Sequence, residues 1–451
     1  MKRLRWPLLA ALVCVGLWYC VWLRPDLALR VAIGVAAHDI CSETFVSGLD
    51  PQQTFIESLA PRPGFRLVAP LLRYSVDRER GEVRATIAGV FESRAVHAGA
   101  TGCMLVEDRD VRLLASGSIP AAAPALSEGA VIAARSPVLQ AALAEAFVEN
   151  DPRAARHTKA VVVMHKGRVI GERYAPGYGP DTPLLGFSMS KSVTNALVGV
   201  LVQQGRLDVG ATPAWAVEER DGVTLEQLMR MTSGLDLDEV GSGFDPSNRM
   251  LYVHGEDMAA FARRARVLAP PGQRWFYSSA STQLAAREVR DAVGGNAEAV
   301  QRFVHEGLFG LVGMRHATME MDVSGTPIGG HYVLASARDW ARFGELFRRD
   351  GVTATGRRLL PEGWVDWSTT PTLGTSYGAG WWINRGAGPG RRPMPDVPAD
   401  AFYALGNLGQ YVVVVPSEQL VVVRLGRAHT GRYDIAGTNR LVGAAIDSLR
   451  K

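Results

Sequence analysis

Short segments rich in valine and other apolar residues mark two groups of strands, one near each end of the main part of the chain. The first group is Ala160–His165 and Arg168–Tyr174, and the second is Tyr411–Val415 and Leu420–Leu425. The stretch between the two groups has mostly helical spacing, and a last helix is predicted over Ala436–Arg450. We therefore predict an α+β fold, in which an antiparallel sheet built from both ends is flanked by helices and carries a helical insertion.

The start of the chain has a membrane-targeting pattern. Lys2, Arg3 and Arg5 precede an uncharged, largely apolar run from Trp6 to Leu23, and Arg24 closes it. This pattern is typical of a secretory signal peptide or an uncleaved signal anchor. Because no small-residue cleavage site adjoins the run, we favour an anchor at residues 1–23. The membrane would then be a partner, and the bulk of the chain would lie in the periplasm or otherwise outside the cytoplasm.

Three further regions follow from composition. Residues 42–117 are predicted to form a small β-rich accessory region, because short stretches such as Gly102 to Val106 are rich in strand-forming residues. Residues 118–135 contain a Pro, Ala and Ser-rich segment and are predicted to be a linker. The main domain is predicted to span residues 136–451. Nothing in the sequence indicates what the accessory region does.

The cysteines offer one candidate disulfide. Cys14 and Cys20 fall inside the apolar run, which leaves Cys41 and Cys103 as the pair beyond it. An oxidising compartment would permit these two to bond, but the sequence does not show whether they meet.

Charge and histidine placement argue against two classes of partner. The net charge is only +4 over 451 residues and the basic residues are scattered, so no nucleic-acid partner is predicted. The nine histidines are dispersed and no Cys and His cluster has metal-ligand spacing, so no metal site and no cofactor are predicted.

The sharpest chemical motif is Ser188 followed by Lys191. Val193 and Leu197 continue at helical spacing, and Gly205 ends the predicted helix. Ser188 is therefore expected near a helix N-terminus, with Lys191 one turn later on the same face. A buried lysine has a lowered pKa and can remove the serine proton, which turns a weak nucleophile into an active one.

The motif alone is not specific, because Ser-x-x-Lys also occurs at Ser448 to Lys451, in what is expected to be a solvated tail. Several segments in order give it context. Together they resemble the serine β-lactamase and penicillin-binding superfamily, in the branch of class C β-lactamases, related carboxylesterases and nylon-oligomer hydrolases. The resemblance covers roughly residues 136–451 and rests on these segments: Gly186–Lys191, Leu228–Leu235, Pro271–Ser279, Ala335–Trp340 and Tyr377–Trp382.

The resemblance implies a β-lactamase-like fold and roles for four residues. Ser188 would attack a carbonyl carbon, and Lys191 and Tyr277 would share the proton transfers. The backbone N–H groups of Ser188 and Gln410 would form the oxyanion hole. From the residues alone, a core aromatic is the favoured interpretation of Tyr277, and the segment before Gln410 is equally an ordinary glycine turn.

The resemblance also implies substrate-binding positions, and two of them depart from the family pattern. Asn407, Gly409 and Ser279 would line the substrate site. Asn407-Leu408-Gly409 stands where β-lactamases carry Lys-Thr-Gly, so the cation for a β-lactam carboxylate is missing. Ser279 stands where the family has asparagine.

Three hypotheses follow. The favoured one is a serine hydrolase that cleaves a small-molecule ester or amide through an acyl-enzyme on Ser188. The second is a peptidoglycan-directed D-peptidase or weak β-lactamase. The third is a catalytically silent, membrane-anchored binding protein on the same fold. The sequence leaves the natural substrate and the oligomeric state open.

Overall fold

The structure, a computed structural model, describes residues 24–106, 127–149, 151, 154–216, 222–240, 245–253, 257–385 and 392–450. The predicted anchor at residues 1–23 lies outside this range, as does the first half of the predicted linker, residues 118–126. Within the range, no helix is both long enough and apolar enough to cross a membrane.

Helices account for much of the chain between the two groups of strands. The α-helices of the described residues are α1 (Pro25–Cys41), α2 (Pro51–Thr54), α3 (Phe65–Val68), α4 (Pro137–Glu145), α5 (Ser190–Gln203), α6 (Leu225–Met229), α7 (Pro246–Tyr252), α8 (Met258–Arg263), α9 (Ser279–Val293), α10 (Ala297–Val304), α11 (Gly310–Val312), α12 (Ala337–Arg348), α13 (Trp364–Ser368) and α14 (Ile435–Asp447).

The strands of the described residues form three sheets. In chain order they are β1 (Leu72–Asp77), β2 (Glu82–Ile87), β3 (Phe91–His97), β4 (Cys103–Leu105), β5 (Thr158–His165), β6 (Arg168–Tyr174), β7 (Leu184–Leu185), β8 (Ala317–Met319), β9 (Val333–Ala335), β10 (Trp382–Ile383), β11 (Phe402–Gly406), β12 (Gln410–Val415) and β13 (Leu420–Gly426).

The largest sheet is antiparallel and has the strand order β10-β11-β12-β13-β5-β6. The turn between β5 and β6 places Lys166 and Gly167 in the left-handed region, with φ of 51° and 77°, as a two-residue hairpin requires. β13 pairs along β5, so a strand near the C-terminus lies beside the first strand of the main domain. The predicted α+β class and the antiparallel sheet built from both ends are confirmed.

Helices cover both faces of this sheet. Val412 and Val414 point into the core that includes α12, whereas Val413 points into a second core shared with α4 and α14. This alternation follows from the two-residue period of a strand. Since β12 and β13 are buried along their whole length, continuous valine runs replace the usual alternation of apolar and polar residues.

Helix α5 lies inside the helical part of the domain. Its residues from Ser190 to Leu201 are all buried, and α9 packs along it. A small sheet of order β7-β9-β8 lies close to the start of this helix. The first turn of α5 is thereby held between a helix and a strand.

The N-terminal region, residues 24–106, contains a four-stranded antiparallel sheet of order β1-β2-β3-β4, with α1 packed across it. Its strands begin only at Leu72. Residues 42–68, where strands were expected, contain helical segments instead. The physical reason at α2 is local: Pro51 occupies the first helical position, and the Asp50 carboxylate accepts a hydrogen bond from the Gln53 N–H at 2.8 Å.

Cys41 and Cys103 form a disulfide that joins the end of α1 to β4, with their Cα atoms 6.0 Å apart. Both cysteines are completely buried. The loop that this bond closes contains the helical segments within residues 42–68 and the strands β1, β2 and β3. The bond therefore links the two ends of the N-terminal region.

We expect the double substitution Cys41→Ser and Cys103→Ser to lower the free energy of unfolding. For a loop with a sequence separation of 62 residues, loss of the cross-link costs about 4 kcal/mol on the chain-entropy account. Urea unfolding monitored by tryptophan fluorescence measures the change. The control is the wild-type protein with a reducing agent, whose urea midpoint should approach that of the variant. Equal urea midpoints for the variant and the oxidised wild type would contradict the expectation.

Candidate active site

Ser188 lies in a short 3₁₀ turn, Phe187–Met189, that leads directly into α5. Phe187 is completely buried and has a left-handed backbone with φ of 48°, which costs free energy for a residue with a Cβ atom. The surrounding core therefore has to hold this turn in place. The result is a serine presented at the start of a helix, as the sequence predicted.

Lys191 lies one turn further along, and its Nζ is surrounded by three oxygen acceptors. It donates to Ser188 Oγ at 3.1 Å, to Ser279 Oγ at 2.8 Å and to the Gly330 carbonyl oxygen at 3.0 Å. The residue is only 2% exposed. Burial lowers the pKa of Lys191 to about 8, although the nearby Glu239 carboxylate acts in the opposite direction. A useful fraction of this amine is therefore neutral close to physiological pH.

Tyr277 lies beside the same amine. The Lys191 Nζ is 4.6 Å from the centre of the Tyr277 ring, a cation–π distance. Burial holds the pKa of Tyr277 well above its ordinary value; Tyr377 and Glu239 also raise it, and a hydrogen bond with Ser188 lowers it. The phenol therefore keeps its proton at neutral pH, so Tyr277 can give a proton before it can take one.

Three aromatic side chains pack against the Tyr277 ring. Ring centres lie 5.7 Å from Tyr277 for Tyr377, 5.6 Å for Trp382 and 6.4 Å for Trp275. Such spacings are typical of packed aromatic pairs. The packing of these three rings limits the positions that the Tyr277 hydroxyl can take relative to Ser188.

Ser279 and Glu239 connect the site to the start of α9. Ser279 is the first residue of that helix, and its N–H donates to the Glu239 carboxylate at 2.7 Å. The Glu239 N–H in turn donates to the Tyr277 carbonyl oxygen at 3.1 Å. Negative charge is favourable at a helix N-terminus, so Glu239 fixes both Ser279 and Tyr277. Sequence reasoning missed Glu239, because one acidic residue in a loop carries no signal.

The loop between β11 and β12 packs against the nucleophile turn. A Cβ atom on Gly406 would lie 2.1 Å from the Gly186 carbonyl oxygen, so only glycine allows this approach. Gln410, the first residue of β12, is completely buried, and its side-chain amide exchanges two hydrogen bonds with the backbone of Gly426. The predicted second oxyanion donor is thus on a strand that is fixed beside Ser188.

The two remaining predicted residues, Asn407 and Gly409, belong to this loop. Asn407 Oδ1 accepts a hydrogen bond from the Leu408 N–H at 2.9 Å, so this side chain stabilises its own turn. The Gly409 carbonyl oxygen accepts from the buried guanidinium of Arg424 at 2.6 Å. The structure therefore brings Ser188, Lys191, Tyr277 and Ser279 together and places the β11–β12 loop against them.

Among the described residues, no group of three or more His, Cys, Asp and Glu side chains has an arrangement that could hold a metal ion. The groups that the described residues bring together in the site are a serine hydroxyl, the Lys191 amine, the Tyr277 phenol and the Glu239 carboxylate.

Comparison with known proteins places this arrangement in a family. The family profile described as Beta-lactamase matches residues 141–443. That range covers well over half of the chain and contains every predicted active-site residue, but it excludes the N-terminal region.

Individual relatives agree with this match. A 6-aminohexanoate-dimer hydrolase from Paenarthrobacter ureafaciens is 29% identical over 229 residues, which are 46% of this chain and 56% of that protein. The chain thus spans a little over half the length of this curated relative.

Two solved structures share the fold. A penicillin-binding protein homologue from Caulobacter crescentus has 18% identity and a TM-score of 0.55, covering 71% of this chain and 99% of its own. A family VIII carboxylesterase has 14% identity and a TM-score of 0.53, covering 72% of this chain and 100% of its own.

The pKa of Lys191 predicts how the reactivity of Ser188 depends on pH. Only the neutral amine can accept the serine proton, so labelling of Ser188 by a fluorophosphonate should accelerate with rising pH and level off above the lysine pKa of about 8. Intact mass spectrometry across about pH 6 to 10 gives the rate at each pH. Lys191→Arg keeps the positive charge but cannot act as a base, so it should label slowly throughout. A flat wild-type profile would rule out Lys191 as the base.

Proposed function

Because the chain belongs to the beta-lactamase family, we propose that it is a serine hydrolase that cleaves ester or amide bonds through an acyl-enzyme on Ser188. The observation that carries the proposal is the buried amine of Lys191, 3.1 Å from Ser188 Oγ and with a pKa lowered to about 8. A serine next to a lysine that is neutral in part at physiological pH is an activated nucleophile.

In the proposed reaction, neutral Lys191 takes the proton of Ser188 while Oγ attacks the substrate carbonyl carbon. The negative charge that develops on the carbonyl oxygen is stabilised by the backbone N–H groups of Ser188 and Gln410. Tyr277, which is protonated, gives its proton to the leaving group and regains one from Lys191. Water then attacks the acyl-enzyme, its proton passes to this pair, and Ser188 leaves with a proton restored to Oγ.

The substrate proposal rests on the β11–β12 loop and on the relatives. The loop carries Asn407 in place of a lysine, and the buried cation near it, Arg424, already donates to the carbonyl oxygens of Gly409 and Arg156. Among the described residues of this loop, a β-lactam or D-peptide carboxylate would therefore have no cationic partner. A linear amide, as the name of the Paenarthrobacter ureafaciens relative implies for that protein, or a short ester fits this loop better.

The test is hydrolysis of three substrate types by the full-length protein: short-chain p-nitrophenyl esters, the linear dimer of 6-aminohexanoate and the β-lactam nitrocefin. We expect turnover of an ester or the amide and little turnover of nitrocefin. Ser188→Ala should lower kcat by at least about a thousandfold, because the nucleophile is lost.

Ser448→Ala is the matched control, since Ser448 belongs to the chain's other Ser-x-x-Lys sequence and should leave activity unchanged. Equal turnover by the wild type and Ser188→Ala would reject the acyl-enzyme. Nitrocefin as the best substrate would favour the β-lactamase alternative, and no reaction of folded protein with either substrates or probe would favour a silent binding protein.

The location outside the cytoplasm is part of the same proposal. It is supported by the basic and apolar pattern that ends at Leu23 and by the buried disulfide, since such bonds persist in oxidising compartments.

An alkaline wash of membranes tests the anchor. It should leave the full-length chain in the membrane fraction, because an inserted apolar helix is not released by charge changes. A chain that begins at Arg24 should be found in the soluble fraction. Release of both chains would contradict the anchor.

A further inference from the structure

The segment 328–333 runs along the nucleophile helix and supplies one of the three acceptors of Lys191. Thr194 Oγ1 donates to the Gly329 carbonyl oxygen at 2.9 Å, Lys191 Nζ to the Gly330 carbonyl oxygen at 3.0 Å, and the Val333 N–H to Ser190 Oγ at 2.9 Å. The position of this segment therefore determines where the Gly330 acceptor lies.

Segment 328–333 has little free space on the side that faces α5 and α9. A Cβ atom on Gly329 would lie 2.4 Å from Thr194 Oγ1, and one on Gly330 would lie 3.0 Å from atoms of Ser279. The backbone is thus pressed between α5 and α9. Any loss of support from its other side would move Gly330 away from Lys191 rather than towards it.

That other side is covered by the N-terminal region. The Tyr332 hydroxyl donates to Asp39 Oδ1 at 2.7 Å, and Arg62 Nη2 donates to Asp39 Oδ2 at 3.0 Å. The His38 ring stacks on the Tyr332 ring with centres 3.8 Å apart. His38, Asp39 and Tyr332 are at most 1% exposed, so these contacts are formed away from water, where a lost hydrogen bond is costly.

Glu320 makes a second connection between the same two parts. Its backbone pairs with Tyr332 and Ile328 at 2.9 and 2.8 Å. Its carboxylate accepts from the Ser42 hydroxyl at 2.8 Å, from the Cys103 N–H at 2.7 Å and from His38 Nε2 at 2.9 Å. Both partners of His38 Nε2, the Glu320 carboxylate and the Cys103 carbonyl oxygen, are acceptors, so this nitrogen carries the proton.

We propose that the N-terminal region is a positioning element of the active site: Asp39, through the Tyr332 hydroxyl, holds segment 328–333 so that the Gly330 carbonyl oxygen remains bonded to the catalytic amine. This inference rests on the proposed function, in which Lys191 is the base. It goes beyond the family match, because Asp39 lies outside residues 141–443.

The first test is Tyr332→Phe, which removes one hydroxyl and keeps the ring. Without the hydrogen bond to Asp39, the bond between Lys191 Nζ and the Gly330 carbonyl oxygen should become longer and weaker. Because that bond stabilises the ammonium form of Lys191, the pKa of the amine should fall. The limiting rate of fluorophosphonate labelling should fall about tenfold, and the pH midpoint should fall by about half a unit. The titratable groups that face Lys191, namely Glu239, Tyr277 and His331, are unchanged in this variant.

Tyr174→Phe is the matched control. The Tyr174 hydroxyl also donates to a buried carboxylate, that of Glu172, at 2.8 Å, but it lies on β6, at the edge of the sheet opposite β10. A similar loss of stability is expected in both variants, whereas only Tyr332→Phe should change the labelling rate and its pH midpoint.

Substitutions of Asp39 separate positioning from general destabilisation. Asp39→Ala should lower the labelling rate at least as much as Tyr332→Phe, because it removes the bond from Arg62 as well as the bond from Tyr332. The double variant should label no more slowly than Asp39→Ala alone, because the bond between Tyr332 and Asp39 is already lost in that variant. Asp39→Asn keeps an acceptor oxygen and should recover most of the wild-type rate. If Asp39→Ala does not fold, Tyr332→Phe decides the question alone, since its volume is nearly unchanged.

The outcomes separate the two proposals. A wild-type protein that the probe does not label would overturn the proposed function and this inference together. A labelled wild type whose limiting rate and pH midpoint are the same in Tyr332→Phe would overturn the inference and leave the function standing.

Discussion

The contact on which the structure most depends is the one between the buried amine of Lys191 and its three oxygen acceptors. Those acceptors come from the turn before α5, from the first residue of α9 and from segment 328–333. A cation that is removed from water has to be satisfied by the protein. The packing of α5 against α9 and against the 328–333 segment therefore supplies the oxygen atoms that this nitrogen needs.

In the proposed mechanism, the reactivity of Ser188 depends on the pKa of Lys191, which the residues around the amine determine. Burial disfavours the charged amine, while Glu239 favours it, and the net result is a pKa of about 8 for Lys191. Glu239 is also occupied with the N–H of Ser279, so it acts on the amine through space and not by direct pairing. A salt bridge to Lys191 would have stabilised the ammonium form and left Ser188 without a base.

The sequence predicted those features that depend on the type of residue or on its spacing along the chain. Valine runs located the strands of the large sheet, and spacing located Ser188 and Lys191 at a helix start. The Gly330 acceptor could not be predicted, because every residue has a carbonyl oxygen. The bond from Tyr332 to Asp39 joins residues 293 positions apart, and a single sequence carries no trace of such pairings. The helical turn at α2, Pro51–Thr54, was missed because a local cap at Asp50 stabilises a helix there.

The pairing of β5 with β13 has a consequence for how the protein is made. The large sheet joins residues 158–165 to residues 420–426, and synthesis proceeds from the N-terminus. Until the last strands emerge, the valine-rich edge of β5 has no β13 to cover it, and the turn that carries Ser188 has no β11–β12 loop beside it. An incomplete chain therefore has the nucleophile motif without a working site and exposes a strand edge prone to aggregation, which makes it a natural substrate for chaperones and proteases.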